Sequence, residues 1–215
     1  MHEIDLTTWP RRQHYAFFRT LALPYFNLSA NVDVTALHAA VKARGASFTA
    51  ASAYVLTRAA NADAFPEFRQ RLRGERVVQH DRVSCSVTVL GEGDLFGFCT
   101  LPYAPDFAAF AGEARARMAR AKTQPSLEED AAADDLIFIT NLPWVAFTSV
   151  QHPVPLGPAD SFPRLATGRV TVQDGRRVMP LAVQGHHALM DGVHVGRYFL
   201  EVQRLLDDAD AVLGG

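Results

Sequence analysis

Between Arg177 and Leu206 the hydrophobic period changes, and that change dictates what the surrounding chain has to build. Arg177 to Val183 (R-V-M-P-L-A-V) alternates, as a strand does. From His194 to Leu206, the apolar residues Val195, Phe199, Val202, Leu205 and Leu206 recur at helical spacing. The residues between them therefore form a tight strand-to-helix connection, where rigid elements on both sides aim side chains into a cleft. That connection holds two adjacent histidines, His186 and His187, followed by Asp191 and by Gly192, which is expected to ease the turn. Histidine is the side chain best suited to take and return a proton near neutral pH.

The chain of 215 residues is 48% apolar and 20% charged, enough to bury a sizeable core. No repeat or linker divides it, so residues 1–215 are expected to form a single domain. A net charge of −2 favours neither nucleic acid nor an anionic membrane. The opening M-H-E-I-D-L-T-T-W-P has no signal-peptide apolar run, and no stretch reaches the roughly 18 apolar residues of a membrane span. Cys85 and Cys99 have no metal-type spacing and read as buried thiols in a reducing compartment, so a cytoplasmic location is expected.

Along the chain, Trp9 to Arg12 opens a helix with Thr7 or Thr8 as cap and Pro10 in its first turn. Leu21 to Val32 reads as an irregular strand. Helices follow from Asp33 to Arg44, with Asp33 or Thr35 as cap and Gly45 as stop, and from Thr49 to Asn61. Val77-Val78, Arg82 to Leu90 and Leu95 to Leu101 read as strands, the last two joined at Gly91 to Asp94. Pro105 opens an amphipathic helix to Lys122, and the acidic stretch from Thr123 to Asp134 reads as a surface loop. Asp135 to Asn141 is apolar enough for a strand covered on both faces. Val145 to Val150 resumes extended structure. Arg164 to Gln173 and Arg176 to Gln184 flank Asp174-Gly175, a hairpin signal. Strands mixed with helices, without regular alternation, predict an α/β class with a mixed sheet packed against helices.

The string from Gln184 to Arg197, Q-G-H-H-A-L-M-D-G-V-H-V-G-R, resembles the H-H-x-x-x-D-G motif of the chloramphenicol acetyltransferases. Trp9, Arg11, His14 and Tyr15 resemble that family's N-terminal W-x-R-x-x-H-[FY] block, and Pro66 to Arg69 its P-E-F-R segment. The resemblance runs from Trp9 to about Leu206. It implies a two-layer sandwich with a mostly antiparallel mixed sheet flanked by helices. It also implies acetyl-CoA as co-substrate, no metal, a small-molecule acceptor, and a homotrimer with sites at the subunit interfaces.

Residue by residue, the resemblance makes His187 the general base and His186 its packed neighbour. Sequence proximity alone suggests an Asp191–His187 relay. The family pattern instead pairs Asp191 with Arg11 as an architectural ion pair and orients His187 through its own backbone carbonyl. The family's oxyanion donor is a serine four residues before a tryptophan. Counting back from Trp144 gives Thr140, which keeps the hydroxyl but adds a methyl. Trp144 falls beside the pantetheine arm of CoA, where Thr140 also lies. Phe18, Phe96 and Tyr25, with Tyr15, Phe17 and Phe26, are the aromatic candidates for the acceptor pocket. Ala166 stands where the family has a threonine, with Thr167 next door, and Met190 where it usually has cysteine.

Three other readings compete. A homologous acyltransferase with a different hydroxyl or amine acceptor is favoured by Thr140 and Ala166. A dihydrolipoyl acyltransferase domain would carry D-H-R in place of Gly185-His186-His187. A non-catalytic small-molecule-binding homologue would be favoured by loss of His187. Metal binding by His186, His187, Asp191 and His194 is disfavoured because adjacent histidines rarely point the same way.

Overall fold

The structure, a computed structural model, describes residues 1–128, 133–155 and 160–214. In chain order its elements are β1 (His2–Glu3), α1 (Arg12–Phe18), β2 (Tyr25–Asp33), α2 (Thr35–Arg44), α3 (Phe48–Ala60), β3 (Gln70–Arg73), β4 (Arg76–Gln79), β5 (Ser84–Leu90) and β6 (Phe96–Leu101). Then come α4 (Phe107–Thr123), β7 (Leu136–Leu142), β8 (Arg164–Gly168), β9 (Thr171–Gln173), β10 (Arg176–His186), α5 (Gly192–Asp207) and α6 (Ala209–Gly214).

The main sheet runs β2-β10-β8-β7-β5-β6, with β9 also paired to β10. Its pairs are antiparallel except β5–β7 and β7–β8, so the mixed, mostly antiparallel sheet flanked by helices is what the chain builds. Alternation sorts its side chains. Cys85, Val87, Val89, Ile137, Ile139, Leu165, Met179, Leu181 and Val183 join one core with the buried faces of α2 to α6. Helices thus cover one face, where the apolar run of β7 had suggested two. The loop after β7 crosses part of the other face: Asn27 Nδ2 donates to the Val150 carbonyl at 2.7 Å, and the His152 N–H to Gln184 Oε1 at 2.8 Å.

β10 is the spine. It is buried from Met179 to His186 and pairs with β2 from Val178↔Asp33 to His186↔Tyr25. The Asp174-Gly175 turn that starts it has positive φ at both residues, 49° and 79°, the mirror-image turn matching strand twist.

Several local expectations give way to side-chain chemistry. Arg164 to Gln173 is two strands, because Gly168 lies against the loop: a Cβ there would meet the Val145 carbonyl at 2.9 Å and the Phe147 ring at 3.0 Å. Residues 145–150 pair with no strand, since Val145 closes a turn on Leu142 and gives its carbonyl to the Arg169 N–H at 2.8 Å. Neither Thr7 nor Thr8 caps α1. Asp5 Oδ1 instead accepts from the Thr7 N–H at 2.9 Å, and the Asp5 carbonyl from the Trp9 N–H at 3.0 Å. The α2 cap position is Val34; Thr35 Oγ1 accepts the Arg177 N–H at 2.8 Å and ties that helix to β10. α3, capped by Ser47, is buried almost all round.

Residues 129–132 of the acidic stretch lie outside the described residues. Its last member, Asp134, accepts from Arg73 Nε and Nη2, both at 2.7 Å. Cys85 and Cys99 are free and buried, and burial pushes the Cys85 thiol up to about 12. Among the described residues, no helix is long and apolar enough to cross a membrane.

A small antiparallel sheet, β1-β4-β3, was not foreseen. Val77 from it packs with Trp9, Tyr15, Ala188 and Leu189 in a second cluster. That cluster joins α1 to the segment between the histidines and Asp191. Leu189 is fully buried there, which is worth about 1.5–3 kcal/mol.

Candidate active site

At the end of β10 the chain folds back on itself. The His187 N–H donates to the Pro24 carbonyl at 2.7 Å, and the His186 carbonyl accepts from Leu189 and Met190 at 2.9 and 3.1 Å. The close approach falls at Gly185, where a Cβ would collide with the Met190 side chain. Gly192, expected to ease the turn, has open space around it, is not left-handed, and simply begins α5.

The His187 ring is clamped. It stacks on Phe18 at 3.8 Å and 6°, and Phe26 lies tilted at 4.8 Å. Nδ1 lies 3.0 Å from Asp191 Oδ1 without the alignment of a hydrogen bond. Asp191 is gripped in turn by both terminal nitrogens of Arg11, the second at 3.1 Å from Oδ1. The same Arg11 nitrogen donates to the His187 carbonyl at 3.1 Å, so that carbonyl is engaged by the guanidinium and forms no bond to its own ring. The hydrogen bond from Arg11 holds the Asp191 carboxyl below the usual carboxylate range, with burial opposing it. The site thus has a fixed anion beside one ring nitrogen.

His186 faces elsewhere. It is buried, accepts the Ala188 N–H on Nδ1 at 3.2 Å, and meets Tyr25 edge-on at 5.3 Å. Burial pulls its pKa down to about 4, so it is neutral at physiological pH. Tyr25, expected at the acceptor wall, donates its hydroxyl to the Asp160 carbonyl at 2.8 Å and lies edge-on to His186. His194 accepts the Asp191 N–H on Nδ1 at 2.9 Å, leaving Nε2 as its protonated nitrogen, 3.4 Å from Glu67 Oε1. Glu67 belongs to the P-E-F-R segment.

Thr140, Trp144 and Phe96 sit together elsewhere, around a cavity of about 640 Å³ on the sheet face not covered by helices. Phe98, Phe138 and His152 line the same space. Trp144 is 62% exposed and Phe96 48%, so both rings stand largely free. Thr140 Oγ1 lies 3.2 Å from His152 Nε2. Ala166 is fully buried beside Thr140 in the β7–β8 ladder. Thr167 points through to the helix side, donating its hydroxyl to Asn141 Oδ1 at 3.4 Å, and does not replace the missing threonine.

Sheet register measures how far apart the two groups are. Thr140 pairs with Ala166, and Ala166 with Ala182 of β10. Two strand spacings are about 10 Å, and the chain from Ala182 to His187 adds roughly 17 Å. The Cα atoms of Thr140 and His187 are therefore about 20 Å apart, too far to act on one carbonyl within a single chain. Phe18 lies on the His187 side and Phe96 on the Thr140 side.

His152 had drawn no notice in the sequence, where it sits in a stretch without periodicity before Pro153. The Glu67–His194 contact was likewise missed, although both residues belong to quoted motifs.

The fold is shared with the cubic core of the pyruvate dehydrogenase multienzyme complex, which superposes with a TM-score of 0.67 at 19% identity, over 99% of this chain and 94% of the other. A solved chloramphenicol acetyltransferase superposes with a TM-score of 0.84 at 29% identity, covering 95% of this chain and 100% of its own. The sequence profile described as chloramphenicol acetyltransferase matches residues 1–203. Chloramphenicol acetyltransferase 2 of Escherichia coli is 32% identical over 208 residues, 95% of this chain and 96% of that one. The Streptomyces acrimycini chloramphenicol acetyltransferase is 33% identical over 209 residues, 95% and 94% of the two chains. The chain belongs to the chloramphenicol acetyltransferase family. It is an acyltransferase, and membership supports acetyl transfer from acetyl-CoA to a small-molecule acceptor.

Proposed function

We propose that the chain acetylates a hydroxyl of chloramphenicol by direct transfer from acetyl-CoA, with His187 as general base. One observation carries the reading: the ring is clamped with Nδ1 toward a guanidinium-held carboxylate. A proton placed on Nδ1 leaves the lone pair of Nε2 to act as base. His187 Nε2 takes the hydroxyl proton, and the acceptor oxygen attacks the thioester carbonyl. Thr140 donates its hydroxyl hydrogen to the resulting oxyanion. As the carbon–sulfur bond breaks, His187 returns the proton to the CoA thiolate, giving an ester and a free thiol. Arg11 and Asp191 hold the base in place, Trp144 lies along the pantetheine arm with Thr140, and Phe18, Phe96 and Tyr25 wall the acceptor.

The separation of Thr140 and His187 supports sites built at seams between chains. A cyclic homotrimer, each copy of residues 1–215 acting as one catalytic domain, brings the Thr140 cavity of one subunit to the His187 of the next. The location that goes with this reading is the cytoplasm. Purified protein with acetyl-CoA and chloramphenicol is expected to release free thiol and to sediment as a trimer. Thr140→Val co-expressed with His187→Ala should recover about a quarter of wild-type activity, because one seam in four then has both groups. No recovery in mixed trimers would mean that the two residues do not serve one site.

The polar groups His152 and Arg164 in the cavity favour a second reading, a homologous enzyme for another hydroxyl or amine acceptor. Slow thiol release with chloramphenicol and rapid release with another alcohol or amine would select it. A binding protein without catalysis would release no thiol with any acceptor.

A further inference from the structure

His152 lies in a loop, yet its placement is specified. Its backbone N–H is held by Gln184 Oε1 at 2.8 Å, and its ring lines the cavity with Nε2 3.2 Å from Thr140 Oγ1. Thr140 has one hydroxyl hydrogen to give. If Nε2 accepted it, nothing would remain for an oxyanion. If Nε2–H donates to the threonine oxygen, the hydroxyl hydrogen is free for the cavity and is polarised by the bond behind it.

The far side of the ring decides between these. Nδ1 is shielded from solvent and makes no well-aligned hydrogen bond among the described residues; the Gln184 side chain lies against the ring, its oxygen taken by the His152 backbone N–H and its amide nitrogen without another partner. A buried N–H without an acceptor is rarer in native proteins than an acceptor left without a donor. The single proton of the neutral ring is therefore better placed on Nε2, where an oxygen waits. Burial, the largest influence on this imidazole, pulls its pKa below the ordinary value and keeps the ring neutral.

We infer that His152 is a positioning residue for the transfer reaction, donating Nε2–H to Thr140 so that the threonine hydroxyl is turned toward the developing oxyanion. This rests on Thr140 being the oxyanion donor. His152 itself touches neither reacting atom; it sets which way its neighbour donates.

Two measurements test it. In ¹⁵N-histidine NMR of the wild-type protein, His152 should appear protonated on Nε2, with that signal displaced in Thr140→Val. A ring protonated on Nδ1 overturns the inference whatever the acceptor. In steady-state kinetics, His152→Leu should lower kcat roughly ten- to hundredfold. KM for acetyl-CoA and for the acceptor should stay within about twofold. His152→Gln, whose amide nitrogen can reach the place of Nε2, should recover most of the loss. In the background of Thr140→Val, His152→Leu should cost little more. Wild-type kcat in His152→Leu, or a loss that multiplies with that of Thr140→Val, overturns the inference. Wild-type protein that ignores chloramphenicol but acetylates another alcohol sinks only the proposed acceptor, and the same variants are then compared on that alcohol.

Discussion

The His187 rim and the Thr140 cavity are made in opposite ways. At the rim every degree of freedom is taken up: a stacked phenyl ring, a backbone bond to Pro24, and a guanidinium that holds both the carboxylate and the carbonyl beside the imidazole. Around the cavity the rings of Trp144 and Phe96 stand open, while Thr140 is tied to His152 and Arg164 to Asp160. A general base must be fixed before substrate arrives, because its pKa and direction set the rate. A recognition wall can be left for ligand, or for a neighbouring subunit, to complete. The contrast assigns the fixed base to the rim, and to the cavity an oxyanion donor set in an open recognition wall.

The largest expected effect is at the rim. His187→Ala should lower kcat by roughly 10²–10⁴-fold, the usual contribution of general base catalysis, with circular dichroism and melting temperature little changed. A residual rate within tenfold of wild type would move the base elsewhere. Next comes the cavity: Thr140→Val, close in shape without the hydroxyl, should cost about 10²–10³-fold in kcat and little in KM. Equal losses in binding and turnover would instead make Thr140 part of the recognition wall, and the cavity would then hold no oxyanion donor.

How much of this could be read in the sequence follows the same division. The rim is local in sequence: its strand, histidines, aspartate and helix run continuously, so period and motif reached His187, Asp191 and the fold around them. Arg11 came from the N-terminal block alone, and packing explains the link, since Trp9 and Tyr15 bury Ala188 and Leu189. The cavity is assembled from β5, β6, β7 and the loop after it, and no one stretch records that these converge. Thr140 and Trp144 were reached by counting along a motif, whereas His152 falls in a loop whose course depends on Gly168 and Gln184, far away in the chain. The setting of Tyr25 was illegible for a related reason: an aromatic in a strand faces one side or the other, and composition does not say which.

A smaller effect separates support from chemistry within the rim. Arg11→Ala leaves Asp191 without its cation and frees the His187 carbonyl. The pair is only partly buried, at 12% and 26% side-chain exposure. The cost in stability should therefore fall below that of a fully buried pair, at about 2 kcal/mol. A drop in kcat of roughly tenfold should accompany it, with KM unchanged. Arg11→Lys should restore stability better than turnover, because an ammonium cannot reach both carboxylate oxygens and the carbonyl as a guanidinium does. Full turnover in Arg11→Lys would mean that the charge alone matters and the fork does not.

The smallest effect is in pH dependence and falls on His186, which supports the rim from behind. Folded, its pKa is about 4, against 6.5 for the ordinary side chain, because burial penalises the charged ring. The unfolded chain takes up a proton as pH falls below 6.5, while the folded one refuses it until about 4. Stability contributed by the neutral ring is therefore whole above 6.5 and is lost between 6.5 and about 4, in total roughly 3 kcal/mol. Asp191 acts in a separate window: its depressed carboxyl contributes above the ordinary 3.8 and is lost only as pH drops below that. Urea midpoints between pH 7 and 4 should fall for the wild type and fall less steeply for His186→Asn, whose amide oxygen can still accept the Ala188 N–H. Parallel slopes would show that His186 takes up its proton as readily folded as unfolded, and the rim would then have no neutral histidine behind it.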